Sequence, residues 1–161
     1  MNIVVNSTPL ISLSIINQLD LLRLIFDYVY IPVAVHNEVI IKGEGKNGHT
    51  ELLSADWIQV INIKNTSMKQ AMLARLDEGE AEVIALANEL KIERVCIDEI
   101  AGRRYACFMG LDTIGTLGIL LIAKKRGFVD EVKPLMDKLI DNHIYIDKRL
   151  YQDILIRAGE L

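Results

Sequence analysis

Three carboxylates and one amide sit where they could do chemistry: Glu38, Glu80, Asp98 and Asn6. Glu80 lies in LDEGEAEVIALA, where Asp77 suits a helix cap and Glu78 and Glu80 its first turn, matching the helix dipole. Val83, Ile84, Ala87 and Leu90 fall at helical spacing from Glu80, so it tops the face that enters the core, and Glu82 points elsewhere. Glu38 shares a helix face with Ala34, Val35 and Ile41, and a carboxylate on an apolar face needs a partner, a shifted pKa or a metal. Asp98 directly follows Val95-Cys96-Ile97, which reads as a short buried strand, and Asn6 ends the strand NIVV. Asp98 also fits a plain cap of the helix that begins near Ile100. Packed carboxylates raise one another's pKa, so such a cluster is stable mainly with a cation. Hard oxygen ligands favour Mg²⁺ or Mn²⁺, which can activate a water and neutralise a phosphate.

The elements that must bring these residues together alternate strand and helix. Strands are expected at 2–5, 28–31, 95–97 and 111–114, with an outer one within 57–63 and a short one at 144–146. Helices are expected at 10–16, 19–26, 33–41, 68–76, from Glu78 to Leu90, and at 100–109, 116–126, 129–142 and 149–158. Thr8 reads as an N-cap ahead of Pro9. This order predicts an α/β fold with a parallel sheet, whose ligands bind beyond the carboxyl ends of the strands. Asn6 and Asp98 share that edge if their strands are neighbours. No repeat or linker divides the chain, so 1–161 reads as one domain.

Composition excludes several classes. Lys plus Arg total 18 and Asp plus Glu 22, a net charge of −4, which argues against bulk electrostatic capture of nucleic acid. It does not exclude a nuclease, because an acidic metal site is itself negative. With 51% hydrophobic and 25% charged residues, the chain has the profile of an ordinary globular protein. No run of 18 apolar residues and no signal-peptide pattern is visible, so no membrane span and a cytoplasmic location are expected. Cys96 and Cys107 match no metal or redox spacing and read as reduced core residues.

Other motifs carry less. His36, His49 and His143 lack metal-ligand spacing, and Ser7 and Thr8 lack His–Asp partners. Lys42 to Gly48 is a Gly-rich connection without the spacing of a phosphate loop. Gly115 to Gly118 could present N–H groups to a phosphate or allow close packing. Arg103 and Arg104 could touch RNA phosphates or form a solvated face. The segment 10–26 is rich in Leu and Ile, more than one core is expected to bury, which points to a homodimer or a partner protein.

The segments VVNSTPLISL, IPVAVHNEV, LDEGEAEVIALA, CIDEIAGRRYA and GLDTIGTLGILLIAKKRG, in that order, resemble a PIN-like prokaryotic family. The resemblance covers most of the chain. It implies a three-layer α/β/α domain with a central parallel sheet. It also implies Mg²⁺- or Mn²⁺-dependent endoribonuclease activity, as in toxins of type II toxin–antitoxin pairs, with RNA as substrate and a small DNA-binding antitoxin as partner. Carried over by position, Glu38, Glu80 and Asp98 match acidic site positions and Thr8 a supporting hydroxyl, with Glu99 as a nearby further carboxylate. The first acidic position holds Asn6, which offers an oxygen without charge and weakens metal affinity. Asn6 therefore also admits a second reading, a non-catalytic module that binds RNA or protein. A third reading is a nucleotide-binding domain that uses Gly115 and Gly118.

Overall fold

The structure is a computed structural model that describes residues 1–46 and 48–161. Five parallel strands form the sheet: β1 (Asn2–Val5), β2 (Tyr28–Pro32), β3 (Ile58–Ile61), β4 (Arg94–Cys96) and β5 (Asp112–Ile114), in the order β3-β2-β1-β4-β5. Ile3, Val4 and Val5 of central β1 are fully buried, as expected of a strand covered on both faces.

Helices α1 (Ser7–Ile15) and α2 (Leu21–Ile25) link β1 to β2. A one-turn helix α3 (Val33–His36), a π turn at Asn37–Ile41 and α4 (His49–Ser54) link β2 to β3. The return from β3 to β4 uses α5 (Thr66–Met72) and α6 (Glu78–Leu90), and α7 (Ile100–Phe108) leads to β5. Helices α8 (Thr116–Lys125), α9 (Lys133–Asp141) and α10 (Lys148–Ala158) complete the chain. Connections run outward from β1 to β3, then jump back to β4. Right-handed crossovers in opposite directions must lie on opposite faces. Accordingly α1, α2 and α10 pack with α8, whereas α5 and α7 pack with α6, giving three α/β/α layers. The direction of winding reverses between β1 and β4, where Asn6 N donates to Cys96 O at 2.9 Å. A ligand crevice opens at such a reversal.

Several expectations need correction. Helix 33–41 is not uniform: Lys42 N donates to Asn37 O at 2.9 Å, five residues back, which rotates the face. Ile41 is therefore exposed, and Glu38 leaves the apolar face shared by Ala34 and Val35 to reach the surface. Helix α4 has too weak a pattern to announce itself; His49 Nε2 anchors it against Ile40 O at 2.7 Å. The loop expected at Lys42–Gly48 falls between the two, and its Asn47 lies outside the described residues. The segment 144–146 pairs with no strand among the described residues and lies in neither helix nor strand. Within residues 10–26, Leu10, Leu13, Ile16, Leu19, Leu21, Leu22, Ile25 and Phe26 are buried, Ile11 and Ile15 are partly buried against the core, and Leu24 is exposed. Cys96 is buried but Cys107 is exposed, and both are free thiols. No helix among the described residues is long and apolar enough to cross a membrane.

Candidate active site

Asn6 is the residue on which β1 ends and α1 begins. The helix starts at Ser7, one residue before the expected Thr8 cap, so Thr8 lies in the first turn with its hydroxyl free to bond elsewhere. It donates to Glu99 Oε1 in a short hydrogen bond, and Asn6 Nδ2 donates to Glu99 Oε2 at 3.4 Å. Glu99 thus bridges the end of β1 to the chain just beyond β4. The other amide atom, Asn6 Oδ1, is buried and has no hydrogen-bond partner among the described residues. Asn6 as a whole is 2% exposed.

Gly79 marks what surrounds that oxygen. A Cβ placed there would lie 3.2 Å from Asn6 Oδ1, 3.4 Å from Glu38 Oε2 and 3.5 Å from Asp77 Oδ1. Oxygens from β1, the π turn and the start of α6 therefore border one small space that glycine leaves open. Asp77 caps α6 by accepting from Glu80 N at 2.8 Å, and Glu80 Oε2 accepts from Asp77 N at 3.1 Å, a complete capping box. Glu80 is thereby folded back on the start of α6 and is buried. Its Oε1 lies near Gly102, where a Cβ would approach to 3.1 Å. Burial pushes the Glu80 carboxyl above its ordinary range, the bond from Asp77 N–H opposes this, and the charges of Asp77, Glu99 and Glu38 add to the rise.

Asp98 is a helix cap, but of α8 and not of the helix that follows it. Thr116 N donates to its Oδ1 and Thr116 Oγ1 to its Oδ2, both at 2.7 Å. Burial raises its carboxyl, the two Thr116 bonds resist, Glu99 adds to the rise and Arg103 resists it. A Cβ at Gly115 would lie 2.8 Å from both Arg103 Nη1 and Asp98 Oδ1, so glycine is what lets these groups approach. Arg103 and Asp98 line a cleft of about 610 Å³ that begins at Thr8 and runs between α8 and α10. Arg104 is exposed and is not part of its wall.

The structure thus gathers Asn6, Glu38 and Asp77 around one space. Glu80 is buried near enough to feel the charges of Asp77, Glu99 and Glu38, Glu99 bonds to both Asn6 and Thr8, and Asp98 accepts from Thr116 on both oxygens. Asp77 escapes sequence reasoning because its capping role is a sufficient account of an acid before a helix; the glycine between it and Glu80 is the signal of close approach. Thr116, likewise, reads only as part of a Gly-rich helix start.

The donor set is one of hard oxygens without a basic partner, and an unpartnered buried carbonyl oxygen lies among them. That chemistry fits a hard divalent cation. Among the described residues, no three His, Cys, Asp or Glu side chains converge closely enough to hold a metal unaided. Mg²⁺ characteristically keeps several waters and takes only one or two carboxylates directly, so the arrangement suits such an ion. Asn6, Glu38 and Asp77 are the residues placed to meet it, with Glu80 and Glu99 adding negative charge.

Comparison with protein-family models matches residues 2–160 to a family described as PIN domain. No curated protein matches the chain.

Proposed function

The chain belongs to the PIN-domain family, whose character is nuclease-like, and from that premise we propose that it is a Mg²⁺- or Mn²⁺-dependent endoribonuclease. The observation that carries this reading is the buried, unpartnered Asn6 Oδ1 beside Glu38 and Asp77 at the carboxyl edge of the sheet. An unsatisfied buried acceptor costs about 1–3 kcal/mol, a cost that a bound cation offsets. When bound, the ion supplies an activated water and neutralises charge on the phosphodiester.

The chain's own residues divide the remaining work. Asn6 presents an oriented oxygen, and Thr8 and Glu99 fix its direction. Glu38, Asp77 and Glu80 supply the negative field that selects a cation. Arg103, on the cleft wall beside Asp98, would meet an RNA phosphate entering there, and Arg104, exposed outside the cleft, could meet one only at the surface. Asp98 acts through structure, holding the start of α8 against the site. The test is cleavage of a structured RNA with Mg²⁺, Mn²⁺ or EDTA. Metal-dependent cleavage lost in Glu38→Gln supports the reading; cleavage indifferent to EDTA refutes it.

The biological role that goes with this activity is that of a toxin held by a small DNA-binding antitoxin. Expression of the chain alone would then arrest growth, and co-expression with the product of an adjacent gene would relieve the arrest. A second reading, a PIN module that binds RNA or protein without cutting it, is favoured by two observations. Asp98 has both oxygens committed to Thr116, and the ligand set contains a neutral residue at position 6. RNA binding that survives EDTA, with no cleavage under any metal, would select it.

A further inference from the structure

We infer that Asn6 and Glu99 share a single ligand position, Asn6 providing the oriented oxygen and Glu99 the negative charge that the end of β1 lacks. The inference rests on the metal-dependent reading above and deepens it.

An amide has two ends, and which end faces the site is decided by its neighbours. Here Glu99 decides. Its Oε2 accepts from Asn6 Nδ2, and its Oε1 is held by Thr8, so the carboxylate cannot rotate away without losing both bonds. With Nδ2 engaged, Oδ1 faces the space at Gly79, whose nearest other atoms are the carboxylate oxygens of Glu38 and Asp77. The reversed amide would set Oδ1 against Glu99 Oε2, acceptor against acceptor. Oδ1 is left with no donor in a residue only 2% exposed, which is the expected state of an oxygen kept for a cation.

The same geometry explains why position 6 tolerates Asn. A carboxylate at position 6 would lie about as close to Glu99 Oε2 as the amide nitrogen does, at 3.4 Å. Two anions at that separation oppose each other, whereas amide and carboxylate attract. The negative charge stands on the residue after Asp98, just beyond the neighbouring strand of the sheet, and Thr8 anchors it there. Partners that orient a ligand in this way typically change metal affinity about 10–100-fold when lost.

The test is a double-mutant cycle on the full chain: wild type, Glu99→Gln, Asn6→Asp and the double variant. Mn²⁺ binding is read by electron paramagnetic resonance and thermal melting by circular dichroism in EDTA. Glu99→Gln keeps the shape and both contacts, its oxygen accepting from Asn6 Nδ2 and its nitrogen donating to the Thr8 hydroxyl, but removes the charge, so Mn²⁺ affinity should fall about tenfold or more. Asn6→Asp alone should melt lower in EDTA, because it sets two anions together. The double variant returns one charge to position 6 beside a neutral amide, and should regain most of the lost affinity and the lost melting temperature.

An unchanged affinity in Glu99→Gln overturns the inference, as does a double variant no better than Glu99→Gln. If Glu99→Gln does not fold, Thr8→Val takes its place: it frees the carboxylate without touching either position, and an unchanged affinity there is equally fatal. RNA cleavage measured on the same proteins separates this inference from the nuclease reading. A chain with the expected Mn²⁺ pattern and no cleavage refutes the nuclease and leaves the shared position standing. Mn²⁺-dependent cleavage without the pattern does the reverse.

Discussion

Glu82 Oε1 accepts the backbone N–H of Ala34 at 3.1 Å, so a carboxylate of α6 caps the short helix that leads to Glu38. Glu82 is 5% exposed, and its Oε2 is paired with Lys69 Nζ at 2.7 Å. Lys69 also holds Glu78 at 2.7 Å, tying α5 to the start of α6. A helix as short as Val33–His36 has little stability of its own, so this bond and the π turn behind it fix where Glu38 emerges.

Glu82→Ala should therefore cost about 1–3 kcal/mol, since it leaves the Ala34 N–H without its acceptor while Lys69 keeps Glu78. Glu82→Gln keeps an acceptor for Ala34, and Lys69 keeps Glu78, so its cost should be about 1 kcal/mol. Urea melts give both values. The stabilisation by Mn²⁺ should shrink more in the alanine variant, because Glu38 is then less well held.

Gly79→Ala separates fold from site. Gly79 lies in the first turn of α6, and alanine is the better helix former by up to about 1 kcal/mol. Its methyl, however, would stand 3.2 Å from Asn6 Oδ1 and 3.4 Å from Glu38 Oε2, filling the space that they border. The variant should melt no lower than wild type in EDTA yet lose most of its Mn²⁺-dependent stabilisation. A full Mn²⁺ response would show that the cation binds elsewhere.

How much of this was legible follows from what fixes each feature. The parallel sheet, the capping box at Asp77 and the placing of Asn6 and Asp98 beyond strand ends rest on local patterns, and local patterns are visible in a sequence. The direction of Glu38 was not, because a π turn adds one residue to a helix without any residue type that announces it. Nor was the exchange between neighbouring carboxylates. Asp98 and Glu99 are adjacent, and only the packing of α8 decides that Asp98 caps Thr116 while Glu99 turns to Asn6 and Thr8. Nor does the richness of 10–26 in leucine and isoleucine say which way each faces, because composition cannot tell a two-sided core from a surface; most of them are buried.

Asp98→Asn is then not a silent change to the fold. The amide oxygen still accepts from Thr116 N, and its nitrogen can donate to the Thr116 hydroxyl, which rotates to accept, so the cap survives without its charge. Exchanging charge-assisted bonds for neutral ones should cost about 1 kcal/mol, read by thermal or urea melts. Cleavage should fall as well, through a weaker hold on the start of α8. Thr116→Val should lower stability in the same direction while leaving all carboxylates in place. If it instead leaves both stability and cleavage unchanged, the cap is not what Asp98 contributes.

The pH dependence of the metal-free protein follows from the two raised carboxyls. Burial, the leading cause in both, lifts Glu80 above its ordinary 4.5 and Asp98 above its ordinary 3.8. A group whose folded pKa is raised binds more protons folded than unfolded, so stability falls as pH rises. The favourable contribution is whole below the ordinary values, declines from there through the raised folded values, and is gone above them. Glu78 and Asp137 act in the opposite sense, since bonds from Lys69 and Lys133 hold them below their ordinary 4.5 and 3.8. Their contribution is present above those values and is lost as pH falls through the lowered ones. In EDTA, the melting temperature should therefore peak in mild acid and decline toward neutrality. Glu80→Gln retains the capping geometry and removes the titration, so it should flatten the decline. Mn²⁺ binds the ionised carboxylates and should raise the neutral side of the curve far more than the acid side. A metal-free protein whose stability climbs steadily from pH 5 to pH 7, with Glu80→Gln tracking wild type, would show that these carboxyls are not strained by burial.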